Sequence, residues 1–228
     1  MGWVRAICLL LMTAGAWADE PAVDAALTAA GWRALGFDGK AANRFRLVDS
    51  TIEVASDSSV SLLYHPVAPD LARTPCLAWR WRVERTMLPT DLSKRGGDDR
   101  PAAIYVTFPY DAAEASVPER MQRVLVELTQ GSDAPGRALV YVWGGVAPRG
   151  AVLESPYMGS AGALIVLRGG DAPLNQWFEE RVDIAADYAR VFKRPPRPPS
   201  QIAIGADSDD TRSTSLARVA DLGFRACE

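Results

Sequence analysis

A chain whose apolar residues alternate singly with polar ones, in short runs broken by turn residues, must bury one face of each run against a second layer. The clearest run here is residues 76–83, where Trp79, Trp81 and Val83 share one face and Arg80 and Arg82 the other. Residues 102–108 repeat the pattern, with Ile104, Val106 and Phe108 opposite Tyr105 and Thr107. Further short runs at 45–48, 51–55, 59–64, 138–143, 163–167, 178–183, 202–206 and 218–224 read as strands. Turn signals such as Asp49-Ser50 and Ser56-Asp57-Ser58 separate the first of them. Helical spacing is confined to 117–128, through Met121, Val124, Leu125 and Leu128, and to 184–192. Residues 24–35 read as a short amphipathic helix or a loose lead-in. About ten strands and two or three short helices predict an all-β chain of two packed antiparallel sheets. A jelly roll suits the long connections, and an up-and-down barrel is the alternative. The run Arg194-Pro195-Pro196-Arg197-Pro198-Pro199 excludes regular structure and reads as a stiff connection.

The N-terminus constrains where such a fold works. Arg5, an apolar run at 6–12 and Ala16-Trp17-Ala18 before Asp19 form the pattern of a cleaved secretory signal. The expected organisation is therefore a signal at 1–18, a lead-in at 19–40 and one β-sandwich domain over 41–228. The run at 6–12 is too short to cross a hydrocarbon core, and no later stretch of the mature chain is long enough. The signal removes Arg5 and no acid, so 25 basic residues become 24 against 28 acidic ones, a net charge of −4. With no clustered basic stripe, nucleic acid is excluded as a partner. The expected location is periplasmic or secreted.

Cys76 and Cys227 are the cysteines left after cleavage. A disulfide suits an oxidising compartment, and two separate buried thiols suit the sequence equally well. His65 is the sole histidine and no G-x-S-x-G is present, which leaves no sequence signature of a Ser-His-Asp hydrolase. A zinc site of several imidazoles is likewise excluded. His65 reads as a strand-end residue.

Two constellations remain. Asp98 and Asp99 lie in a Gly-rich loop, and Asp207, Asp209 and Asp210 follow a strand. Carboxylates on irregular backbone are Ca²⁺ ligands, so Asp207, Asp209 and Asp210 are candidates for a structural Ca²⁺ site; turn capping is the plainer role. No cofactor is required by the pattern. Arg80, Arg82 and Tyr105, bordered by Asp98 and Asp99, are candidates for a ligand-binding face, with Tyr141 and Trp143 on the same sheet. For both aromatics a place in the core is the competing reading. Asp183 is placed to cap the helix at 184–192.

Trp79-Arg80-Trp81-Arg82-Val83, Gly97-Asp98-Asp99 leading to Ile104-Tyr105-Val106-Thr107-Phe108, and residues 138–144 form an ordered set. Residues 181–192 and 202–209 continue it. Together they resemble the bacterial family of unknown function DUF3047, over roughly residues 45–225. One departure is Lys193, where such sequences often carry Gly. The resemblance implies a secreted or periplasmic β-sandwich similar to carbohydrate-binding, galactose-binding-like jelly rolls, and it implies no activity. The leading functional expectation is a non-catalytic binding module for a glycan or other envelope ligand. The alternatives are a carboxylate-dependent polysaccharide hydrolase or lyase, built on Asp98 or Asp99 with Asp207 or Asp209, and an envelope interaction protein.

Overall fold

The computed structural model describes residues 21–113, 115, 120 and 136–227. The signal expected at 1–18 lies outside them, as does all but Arg120 of the helix expected at 117–128. The chain opens with β1 (Ala22–Val23), α1 (Ala25–Ala29), β2 (Arg33–Leu35), β3 (Arg44–Val48), β4 (Thr51–Asp57) and β5 (Val60–Pro66). Then come β6 (Cys76–Arg85), β7 (Arg100–Phe108), β8 (Arg137–Trp143), β9 (Val152–Ser155) and β10 (Gly159–Arg168). It closes with β11 (Phe178–Asp183), α2 (Ile184–Phe192), β12 (Gln201–Asp207) and β13 (Thr214–Arg225).

These strands form the two-sheet sandwich that the alternation demands. The first sheet has the order β1-β3-β4-β13-β6-β11, the second β2-β5-β12-β7-β8-β10-β9. Pairing is antiparallel except between β1 and β3 and between β8 and β10. The second exception arises because β9 intervenes between β8 and β10 and pairs on the far side of β10. Residues 19–40, expected as a lead-in, supply an edge strand to each sheet, and Leu27 of α1 is buried in the core.

Between the sheets the aromatic residues interlock. Trp79 and Trp81 meet edge to face at 5.5 Å, Trp79 lies 5.7 Å from Tyr141, and Trp81 lies 5.5 Å from Trp143. Burying rings of this size dominates the energetics of such a core. Two of their polar atoms are paired, Trp81 Nε1 donating to Glu180 and the Tyr141 hydroxyl to Asp187, while Trp79 Nε1 is buried without a partner among the described residues. Tyr141 and Trp143, at 0% and 1% exposure, are therefore core residues with no access to a ligand. Outward-facing residues of β6 do the reverse: Arg80 and Arg82 flank Trp177 and pair with Asp221 and Glu84.

A face shared by Arg80, Arg82 and Tyr105 does not exist. β6 and β7 are consecutive, but the loop between them carries the chain to the other sheet. Arg80 and Arg82 thus lie outside the first sheet and Tyr105 outside the second. Cys76 and Cys227 form a disulfide, Cα to Cα 5.3 Å, because β13 pairs with β6 and sets Arg225 opposite Cys76. Asp183 caps α2 by accepting from the Ala186 amide at 2.8 Å. Lys193 closes the helix in the left-handed region, φ 58°, a conformation that suits glycine best.

Candidate functional site

The outer face of the second sheet is floored by the residues that alternate with its core positions. Leu62, Tyr105, Thr107, Ala138, Val140 and Leu164 line a cleft of about 500 Å³ there. Gly205 keeps the floor level, since a Cβ would stand 2.5 Å from Leu62 and 3.3 Å from the Tyr105 ring. Loops form the walls. Phe37 comes from the β2–β3 loop, Tyr110 follows β7, and Tyr157 sits in the β9–β10 turn. Tyr157 is 52% exposed, with the Arg95 guanidinium 5.4 Å over its ring.

Charged groups gather at one end of the cleft, around the start of β7, and Arg137 and Asp111 stand at the other, where β7 ends. Asp98 and Arg100 enter from the start of β7, Asp207 ends β12, and Asp209 and Lys40 reach in from loops. Arg100 Nη1 donates to Asp98 Oδ2 at 3.2 Å and lies 3.7 Å from Asp207 Oδ2. Its Nη2 donates to the Tyr105 hydroxyl at 2.6 Å. Burial opposes the charge on Arg100, but Tyr105, Asp207 and Asp98 more than offset it and keep the guanidinium protonated. Lys40 pairs with Asp209. Burial pushes the Asp207 carboxyl up to about 8; Arg100 opposes the rise, and Asp209 and Asp98 add to it. Burial, with the carboxylates of Asp209, Asp99 and Asp98, raises Asp210 as well.

The two acidic loops therefore meet in space, in an arrangement that differs from the one expected. Asp99 lies behind the lining, beside Asp207 and Asp209, and accepts from the Thr211 amide at 2.8 Å and from the Thr211 hydroxyl, pinning the 208–213 turn. Among the described residues, the carboxylates gathered closely enough to share an ion are those of Asp99, Asp207 and Asp209, within 4.8 Å of one another. Asp210 is outside that group and contributes its amide to Asp99. Beneath them Asn43, fully buried, donates to the carbonyls of Ser61 and Ala206 and so fixes the strand that presents Asp207.

Of the expected ligand residues, Tyr105 and Asp98 line the cleft. Arg80, Arg82, Tyr141, Trp143 and Asp99 do not. Sequence reasoning missed Lys40, Arg100, Tyr110 and Tyr157. Arg100 had a signal, since it follows two acids at the mouth of a strand. Tyr157 had a fainter one, an aromatic in the turn Pro156-Tyr157-Met158-Gly159.

A two-sheet β-sandwich with a cleft of ligand size on the outer face of one sheet is the class that fold and site define. Within it, the chain belongs to the family described as Protein of unknown function (DUF3047), whose model matches residues 30–223. No curated protein matches the chain. Among solved structures it is similar to the family 12 xyloglucanase from Bacillus licheniformis in complex with ligand. That likeness has a TM-score of 0.42 and 9% identity over 86% of this chain and 87% of that one. It is also similar to the xyloglucanase domain of NopAA, a type three effector from Sinorhizobium fredii, in complex with cellobiose. There the TM-score is 0.44 and the identity 10%, over 86% of this chain and 98% of that one.

Proposed function

We propose that the protein binds a glycan of the cell envelope in the cleft on the outer face of the second sheet, without cleaving it. The observation that carries this reading is the cleft itself: Phe37, Tyr110 and Tyr157 around a floor of apolar side chains and Tyr105, with a cluster of buried charges beside it. A sugar ring offers C–H faces to aromatic rings and hydroxyls to charged groups, and the lining of this cleft supplies both. A Ca²⁺ ion at the acidic end is a candidate cofactor. The Cys76–Cys227 disulfide supports a periplasmic or secreted location, where such bonds persist.

Hydrolysis is the weaker reading for a geometric reason. Glycoside cleavage needs two carboxyl groups on either side of the scissile bond. Here Asp98 and Asp207 approach the same nitrogen of Arg100, so they sit together at one end of the cleft, and Asp111 at the other end is engaged by Arg197.

The test is affinity electrophoresis and calorimetry of the purified protein against soluble β-glucans and peptidoglycan fragments. A retained polysaccharide is expected, with Tyr157→Ala weakening it about tenfold, near 1.4 kcal/mol for one lost ring contact. The melting temperature should hardly move, because Tyr157 is exposed. Unchanged affinity in Tyr157→Ala would remove the cleft from the reading. Release of reducing ends would replace binding with catalysis.

A further inference from the structure

We propose that the acidic end of the cleft is a binding site for a divalent cation of the Ca²⁺ class, held by Asp99, Asp207 and Asp209. One carboxylate oxygen from each of the three lies within 4.8 Å of the others. Oxygens that close can share a single ion at Ca–O distances of about 2.3 to 2.6 Å. The donors are all hard oxygens. The one histidine is elsewhere, its ring packed against Trp32, so the set selects a hard cation over zinc.

A second observation points to a ligand independently of the clustering. Asp98 and Asp207, 3% and 6% exposed, each bury a carboxylate oxygen, Oδ1, that has no hydrogen-bond partner. Buried carboxylate oxygens are ordinarily paired, and leaving two of them unpaired in one cluster is costly. Five carboxyl groups, those of Asp98, Asp99, Asp207, Asp209 and Asp210, stand against two side-chain cations among the described residues, Arg100 and Lys40. Arg100 is buried and fixed by Asp98 and Tyr105. Lys40 is different: its side chain is 42% exposed and it engages the carboxylate with the most exposed side chain of the three, Asp209. It is a displaceable counter-ion, and a divalent cation between Asp207 and Asp209 supplies the positive charge the cluster lacks. Asp207 and Asp209 also line the cleft, so a cation there is within reach of a ligand's hydroxyls. That last point rests on the glycan reading; the cation site itself does not.

The experiment titrates CaCl₂ alone into the EDTA-stripped, disulfide-bonded protein, followed by calorimetry and by melting temperature. A single saturable site is expected, with the melting temperature rising by roughly 5 °C or more at a hundredfold excess over Kd. Asp207→Asn, close in shape and without the charge, should abolish both signals. Asp209→Asn should do the same, and its place at the rim guards against loss of folding. Lys40→Ala should tighten Ca²⁺ binding severalfold by removing the competing cation. No heat and no thermal shift up to about 10 mM, well beyond the weakest affinities of extracellular calcium modules, overturns the site. So does native-like Ca²⁺ binding by Asp207→Asn and Asp209→Asn. If the titration succeeds and no polysaccharide is retained with or without Ca²⁺, the cation site stands and the glycan reading falls.

Discussion

Asp207 is buried, shares Arg100 with Asp98 and faces Asp209, and this crowding has a consequence for pH. Its carboxyl is raised to about 8 in the folded protein, against about 3.9 in an unfolded chain. Between those values the native state binds the extra proton. Stability from this group is thus complete below about pH 4 and is lost as pH rises towards 8, at up to about 1.4 kcal/mol per pH unit. Thermal unfolding in EDTA between pH 5 and 8 should show the native protein losing melting temperature, and Asp207→Asn should flatten the slope. A native slope no steeper than that of Asp207→Asn would mean the carboxyl titrates normally. Lys193 makes a second residue-scale case. Its φ of 58° costs a side chain strain that glycine escapes, so Lys193→Gly should stabilise the protein by about 0.5–1 kcal/mol in urea unfolding. The residue types at the site were legible as two acidic loops. Their partners were not, because Lys40 and Arg100 become partners only once the chain is folded.

Among the elements, every expected strand between residues 45 and 224 is present; alternation marks β6 and β7 with their buried faces, and continuous apolar runs mark β8 and β10, buried on both sides. Trp79, Trp81 and Val83 face the core for that reason alone. β1, β2 and β9 escaped notice because two to four residues are too short to show a period. Sheet membership was the larger gap. Whether a strand pairs with its predecessor or crosses to the other layer depends on the path of the loop between them, and alternation is silent on that. The same geometry decided the cysteines: β13 against β6 brings Cys227 to Cys76 across 151 residues of sequence. Closing a loop of that size constrains the unfolded chain by about 5 kcal/mol in the entropic model. The Cys76→Ser/Cys227→Ser double variant should therefore lose a few kcal/mol in urea unfolding, with its midpoint moved and its secondary structure kept. An unchanged midpoint would mean the bridge constrains nothing that the sheets do not already hold.

At the scale of the whole molecule, the sandwich has two outer faces of opposite character. On the first sheet the outward charges are consumed locally: Arg80 with Asp221, Arg218 with Glu53 and Glu84, and both Arg80 and Arg82 against Trp177. The exposed pair Arg80–Asp221 contributes little to stability, about 0–1 kcal/mol, and all these pairs occupy the groups a ligand would need. On the second sheet the outward residues of neighbouring strands are mostly apolar or aromatic and open into a cleft. Arg80 and Tyr105, which the strand pattern set side by side, therefore part company. In the polysaccharide retention assay, Arg80→Ala and Arg82→Ala should bind as the native protein does, while Tyr105→Ala and Tyr157→Ala weaken retention. Tyr105 also accepts from Arg100, so its loss should lower the melting temperature too, whereas loss of Tyr157 should not. Arginine variants that lose binding while the tyrosine variants keep it would move the ligand to the first sheet. The cleft would then be a feature of packing, and Trp177 between its two arginines would be the place to look.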